Sequence, residues 1–227
     1  MSKLKSNVIV VGVDVGGPKK GFHCVALCNG SVRDKFQSHN AKKVAEWCRR
    51  IEAQAIAVDA PCRWSTSGRA RPAERELMAE GIWCFSTPSR EVAEKHPTGH
   101  FQWMLAGAEL FRCLEATHHL FSGMPCPARL PVCFETFRHA VVCALAGKVV
   151  TARPKATKRR TALCNQGYDD TVLPNIDFVD AGLCALAALH LVATKIKKYG
   201  NAESGIIVVP RAAARATRPT TRDRPSP

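Results

Sequence analysis

Two apolar runs, each ending near an aspartate, dominate the hydrophobic pattern. In residues 7–17 (Asn-Val-Ile-Val-Val-Gly-Val-Asp-Val-Gly-Gly) everything from Val8 to Val15 is β-branched and apolar except for Gly12 and Asp14, and Gly16-Gly17 close the run. Such a run predicts a strand buried on both faces at the centre of a sheet. Residues 55–59 (Ala-Ile-Ala-Val-Asp) repeat the pattern in short form, with Ala60-Pro61 stopping the strand. Between the two, residues 21–28 and 31–37 predict a pair of strands joined by Asn29-Gly30, a strong two-residue hairpin signal. Residues 41–52 place Val44, Trp47, Cys48 and Ile51 on one helical face.

Further along, residues 71–80 predict a helix with Pro72 in its first turn and Gly81 after its end. Residues 82–85 read as a short strand or extended loop, residues 89–100 as polar loop, and residues 101–118 as a long helix whose end puts His118-His119 at the surface. Pro125 and Pro127 interrupt the chain before a strand over 130–137 that contains Glu135, and a short helix follows over 138–146. A basic segment over 148–160 precedes a helix opened by Asp177 and Asp180, apolar on nearly every side and running to about residue 198. Residues 205–209 give a last extended piece. From Arg211 onward Arg, Pro, Thr and Ala prevail, a composition that predicts a disordered tail. The alternation of strands and helices predicts one mixed α/β domain over 1–210 and a basic tail over 211–227.

A formal net charge of +14 makes a polyanionic partner such as nucleic acid an expectation. Eleven cysteines form no disulfide framework or Cys-x-x-Cys pair, and no signal-peptide pattern opens the chain, so reduced thiols in a cytoplasmic protein are expected. The longest apolar run, 183–193, is too short to span a bilayer, and no membrane association is expected.

The acids carry the candidate chemistry. Asp14 and Asp59 fall at the carboxyl ends of strands expected to be parallel neighbours, where α/β sheets gather their sites. Asp177 and Asp180, three apart, share one face of a helix, and Glu135 sits late in another strand. Carboxylates gathered in this way repel unless divalent cations neutralise them. Hard oxygen ligands select Mg2+ or Mn2+ over zinc. Such a set suits two-metal hydrolysis of a phosphodiester. Each acid also has a structural reading: a turn for Asp59, a capping box for Asp177 and Asp180, and a surface pair with Arg138 or His139 for Glu135.

The pieces Gly-Val-Asp14-Val-Gly-Gly, Ala-Val-Asp59-Ala-Pro, Arg-Pro-Ala-Glu74-Arg-Glu-Leu with Phe-Ser-Thr-Pro88, Trp103-Met with Gly107, Phe-Glu135-Thr-Phe and Asp177-Phe-Val-Asp180-Ala, taken in order, resemble the DUF429 family. That resemblance implies a predicted nuclease with a ribonuclease H-like mixed five-stranded sheet flanked by helices. It implies Asp14, Asp59 and Asp180 as metal ligands and Asp177 as a second helix acid of the kind seen in RuvC-type resolvases. Ribonuclease H itself also takes a Glu from its first helix, and neither Glu46 nor Glu52 is placed for that role. Glu74-Arg75-Glu76 reads either as a support for a loop beside the site or as a solvated helix face.

Lys19, Lys20, Arg63, Arg69 and Arg71 follow the two acidic strand ends and are expected to ring the cleft, with Lys155, Lys158, Arg159 and Arg160 extending a surface for a phosphate backbone. The function expected is therefore a divalent-metal-dependent nuclease acting on DNA or RNA. Its alternatives are a non-catalytic nucleic-acid-binding scaffold of the same fold, and an actin-like or sugar-kinase-type phosphate binder, which needs two such domains where this chain has room for one.

Overall fold

The computed structural model describes residues 8–123, 130–151 and 153–212, leaving out the side chain of Lys155. The expected disordered tail therefore lies outside the described residues from 213 on, as do Asn7, Pro125 and Pro127.

Strand β1 (Val10–Val15) is buried throughout and stands in the middle of the sheet. β2 (Phe22–Cys28) and β3 (Ser31–Ser38) turn away from it as an antiparallel meander. Asn29 (φ 52°) and Gly30 (φ 77°) both take the left-handed conformation that matches a two-residue turn to strand twist. Helix α1 (Ala41–Arg50), capped by the Asn40 side chain, leads to β4 (Ala55–Asp59), which lies parallel to β1. α2 (Pro72–Ala79), α3 (Arg90–Lys95) and α4 (Gln102–Leu114) follow, and then the two-residue β5 (His119–Leu120). β6 (Val132–Glu135) pairs parallel with β4; α5 (Arg138–Ala146), α6 (Lys155–Cys164) and α7 (Ile176–Val192) come next. β7 (Ile196–Asn201) and β8 (Gly205–Pro210) form a closing hairpin.

The strands make one mixed sheet in the order β3-β2-β1-β4-β6-β8-β7, eight strands in all with β5 paired to β6. This is larger than the five-stranded sheet expected. Alternate residues of the central strands feed two cores. Val10, Ala55, Ala57 and Phe134 face α2, α5, α6 and α7, whereas Val11, Val13, Ile56 and Val58 face α1 and α4. No described helix is long and apolar enough to cross a membrane.

Several segments differ from expectation for local reasons. The last long helix stops at Val192, and Thr194 takes φ 57°. The Lys-rich residues beyond it form edge strand β7, tied by the buried Tyr199. Residues 89–100 are not all loop: Ser89 caps α3, and the pairs Arg90–Glu94 and Glu91–Lys95 support it. The long helix from 101 ends at Leu114, and His118, expected at the surface, is buried with Nε2 2.9 Å from the Ala53 carbonyl. The basic segment contributes α6, while residues 82–88 are extended loop.

One glycine sets the distance between α7 and the sheet. A Cβ at Gly12 would stand 2.0 Å from the Ala181 carbonyl oxygen and 2.1 Å from the Ala185 nitrogen, so the helix backbone rests on the strand. Gly12→Ala is therefore expected to lift α7 and to lower unfolding stability by about 3 kcal/mol or more in thermal or urea denaturation. Gly17→Ala, where nothing lies within 4 Å of the new atom, is the control and should change little. Equal stability of the two variants would contradict this packing.

Candidate functional site

Asp14 and Asp59 are lateral partners in the parallel β1–β4 ladder, so their carboxylates leave the same face at the carboxyl end of the sheet. Gly12 and Ala57 lie on that face two residues earlier, under α7. Because the helix comes down so closely, Asp180 in its second turn reaches the same place. All three acids are buried.

They converge on Arg138, the first residue of α5. Its Nη1 donates to Asp59 Oδ2 and lies 3.4 Å from Asp14 Oδ1, and its Nε lies 3.2 Å from Asp180 Oδ2. A cation in the first turn of a helix opposes the helix dipole, so the acids rather than the helix account for its position. Arg159 of α6 donates to Asp180 Oδ2 as a second cation. Two guanidinium groups thus face three carboxylates. The match is incomplete: Asp180 Oδ1 and Arg138 Nε are buried without a hydrogen-bond partner among the described residues.

Burial, with the crowding of negative charge, shows in proton affinity. Burial pushes the Asp14 carboxyl up to about 7, with Arg138 pulling it down and Asp59, Asp180 and Asp177 pushing it further up. Burial likewise lifts Asp180 to about 6 against the pull of Arg138 and Arg159. Arg138 is held above its ordinary value, chiefly by Asp59.

Glu135 stands apart from this cluster, whereas Asp177 lies at its edge, close enough to add to the charge that raises Asp14. Glu135 is in register with Val58, not Asp59, which assigns it to the other face of the sheet. Its carboxylate accepts from Arg71 Nη1 at 2.9 Å and Nη2 at 2.5 Å, and from the Cys62 amide at 2.9 Å. Arg71, expected on the cleft rim as a phosphate contact, is instead buried between Glu135 and Glu74. Glu74 in turn accepts from the Thr87 amide at 3.1 Å and from the Thr87 hydroxyl, so it does hold the 82–88 loop beside the site. Asp177 is paired with Lys20, whose Nζ is 2.7 Å from Oδ1; the cap of α7 is Asn175. Glu46 and Glu52 are exposed.

Of the remaining expected cations, Lys19, Arg63 and Arg69 are exposed. Lys158 bonds the Arg153 carbonyl at 2.8 Å, and Arg160 pairs with Asp170 at 2.9 Å. Arg159 is buried against Asp180 instead of lying on an outer surface. Lys155 opens α6, and its side chain lies outside the described residues.

A cleft of about 520 Å³ opens at these strand ends, with Asp59, Arg138 and Arg159 in its lining and Trp83, Phe85 and Trp103 on one wall. Sequence reasoning missed Arg138 as the centre of the cluster. It also missed the aromatic wall and His23, which is in register with Asp14, buried, and edge-on to Phe178 at 4.9 Å. Counting register back from the Gly16–Gly21 turn would have found His23. An Arg three residues past a late strand acid was the available signal for Arg138.

The geometry defines a mixed α/β protein whose first and fourth strands and last helix gather three carboxylates at one sheet end. The chain belongs to the DUF429 family, whose model, described as a protein of unknown function, matches residues 12–203 and so contains all three acids. No curated protein and no solved structure matches the chain.

Because the folded protein holds the Asp14 proton more tightly than the unfolded chain does, the stability this group contributes is present below its ordinary 3.8 and lost as pH rises through about 7. In chelator, the protein is expected to lose thermal stability across that window. Asp14→Asn should flatten the decline and raise Tm by several degrees at about pH 8. A variant that melts lower than wild type at that pH, with the slope unchanged, would contradict the assignment.

Proposed function

We propose that this chain is a divalent-metal-dependent nuclease that hydrolyses phosphodiester bonds of DNA or RNA, with Asp14, Asp59 and Asp180 as the ligands of Mg2+ or Mn2+. The observation that carries the reading is the convergence of three buried carboxylates, from β1, β4 and α7, on a single cation. The order β3-β2-β1-β4-β6 within the larger sheet, with acids on β1, β4 and a late helix, supports a ribonuclease H-like core extended by β5, β7 and β8.

Among the described residues no three His, Cys, Asp or Glu side chains are set to grip an ion as they stand, since the oxygens meet at Arg138. The donors nonetheless fit a hard cation: all are carboxylate oxygens, and Asp180 Oδ1 is buried with its valence unmet. The Arg138 side chain, 30% exposed, also lines the cleft, so a cation that displaced it would turn it toward the opening. Bound there, the metal supplies an activated water and a counter-charge for the leaving oxygen. The protein residues hold and orient. Lys20 restrains Asp177, and the Glu135–Arg71–Glu74 chain fixes the cleft's far side.

One observation favours the scaffold reading instead: Arg138 already neutralises much of the acid charge, as a metal-free protein needs. Two experiments separate them. With Mn2+, wild-type protein is expected to cut at least one member of a panel of DNA, RNA, hybrid and junction substrates. Asp14→Asn should lose cleavage by on the order of a hundredfold or more while retaining substrate binding. In chelator, Arg138→Met, which leaves buried carboxylates uncompensated, should lose about 3–5 kcal/mol of stability and regain much of it on adding Mn2+. Absence of cleavage across the panel, with no metal-dependent rise in Tm for either protein, would establish the scaffold.

A further inference from the structure

We propose that the cleft takes a single-stranded nucleic acid, with an unstacked base laid on Trp83 and Phe85 and its backbone running along the acidic strand ends. This names the substrate class for the nuclease reading and rests on it. Trp83 and Phe85 are the most exposed large apolar side chains among those of the described residues, at 76% and 63%. Rings held so far into water lose the favourable burial that normally places them inside.

Their loop is anchored, and Phe85 is held. The loop that carries them is fixed by Thr87 on buried Glu74, and Phe85 stands edge-on to Trp103 at 6.2 Å and to His100 at 6.0 Å. Both exposed rings line the same cleft as Asp59 and Arg138, so a base against the wall would bring its own backbone to the candidate metal ligands.

The charge around the cleft fits a phosphate chain. Within the lining, Arg71, Arg138 and Arg159 balance Glu74, Glu135 and Asp59, whereas Lys19 and Arg63, two residues beyond lining residues Gly17 and Pro61, are exposed without an acid partner among the described residues. Ring faces select unpaired bases. In a duplex each base is already stacked and offers only its edges, whereas a single strand can turn a base onto an aromatic face whatever its sequence.

The test measures binding in chelator, where cleavage cannot intervene. The probes are fluorescent oligo(dT) and oligo(U) of about 12 nucleotides, an abasic chain of equal length and a duplex of about 12 base pairs. Wild-type protein is expected to bind the oligonucleotides at least tenfold more tightly than the abasic chain. Trp83→Ala and Phe85→Ala should each weaken oligonucleotide binding about 5- to 100-fold and leave the abasic chain unaffected. Trp83→Phe, which keeps an aromatic face, should restore most of the binding lost in Trp83→Ala.

Equal affinity for duplex, abasic and single-stranded probes, or alanine variants that bind like wild type, would overturn the proposal. So would a wild-type dimer in sedimentation that Trp83→Ala dissolves without changing oligonucleotide binding, because the rings would then serve a second copy of the chain. Ring-dependent binding without cleavage in Mn2+ would remove the nuclease reading alone. Cleavage that is indifferent to both rings would remove only the stacking site.

Discussion

The close approach of α7 to β1 at Gly12 is the contact on which the site depends. Parallel register alone brings Asp14 and Asp59 side by side, since partners in a parallel ladder share a face. A third carboxylate joins them only because a residue without a Cβ lets a helix backbone rest against the strand. Burying three acids together is unfavourable by itself. The fold tolerates it because that helix also covers the sheet with an almost wholly apolar surface, from Phe178 to Val192.

The unfavourable charge explains features that look unrelated. Arg138 begins a helix, where a cation is disfavoured, and Arg159 is buried in the lining of the cleft although it belongs to a basic helix. Both positions follow once the acids are seen as one cluster. Their guanidinium groups neutralise it incompletely; burial, aided by the neighbouring acids, leaves Asp14 protonatable, and one oxygen of Asp180 stays unsatisfied. A second buried network, Glu135–Arg71–Glu74–Thr87, also sets one guanidinium against two carboxylates but leaves no side-chain atom of the three charged residues unsatisfied. Arg71 and the Cys62 amide meet Glu135, and Arg71 with the Thr87 amide meets Glu74. Its satisfied bonds suit a structural support, and the unsatisfied ones suit a place where something binds.

The sequence disclosed the parts of this arrangement whose signals are local. β1, β4 and the Asn29-Gly30 hairpin follow from apolar runs and turn chemistry, and Asp14 and Asp59 could be read at strand ends. Asp180 could be read on a helix, though not the glycine that admits it. Glu135 could not be sorted from the other acids, because a single residue of register moves a side chain to the opposite face, and register is settled between strands distant in sequence. Arg71 looked like a surface cation because Glu135 reaches it only in the folded sheet; Glu74, three residues on at the start of the same helix, was the local half of its burial. β7 was hidden because Lys197 and Lys198 sit on an exposed edge, where no alternating apolar pattern is needed. α6 carries little apolar periodicity, and Arg159, its buried cation, points to an acid that only the tertiary fold supplies.

The measurement that bears most directly on the cluster is anomalous diffraction from crystals soaked in Mn2+. The account predicts a manganese peak bounded by oxygens of Asp14, Asp59 and Asp180, with the Arg138 guanidinium turned out toward the cleft. Full-occupancy Arg138 still seated among the three carboxylates at saturating Mn2+, with no peak beside them, would contradict it.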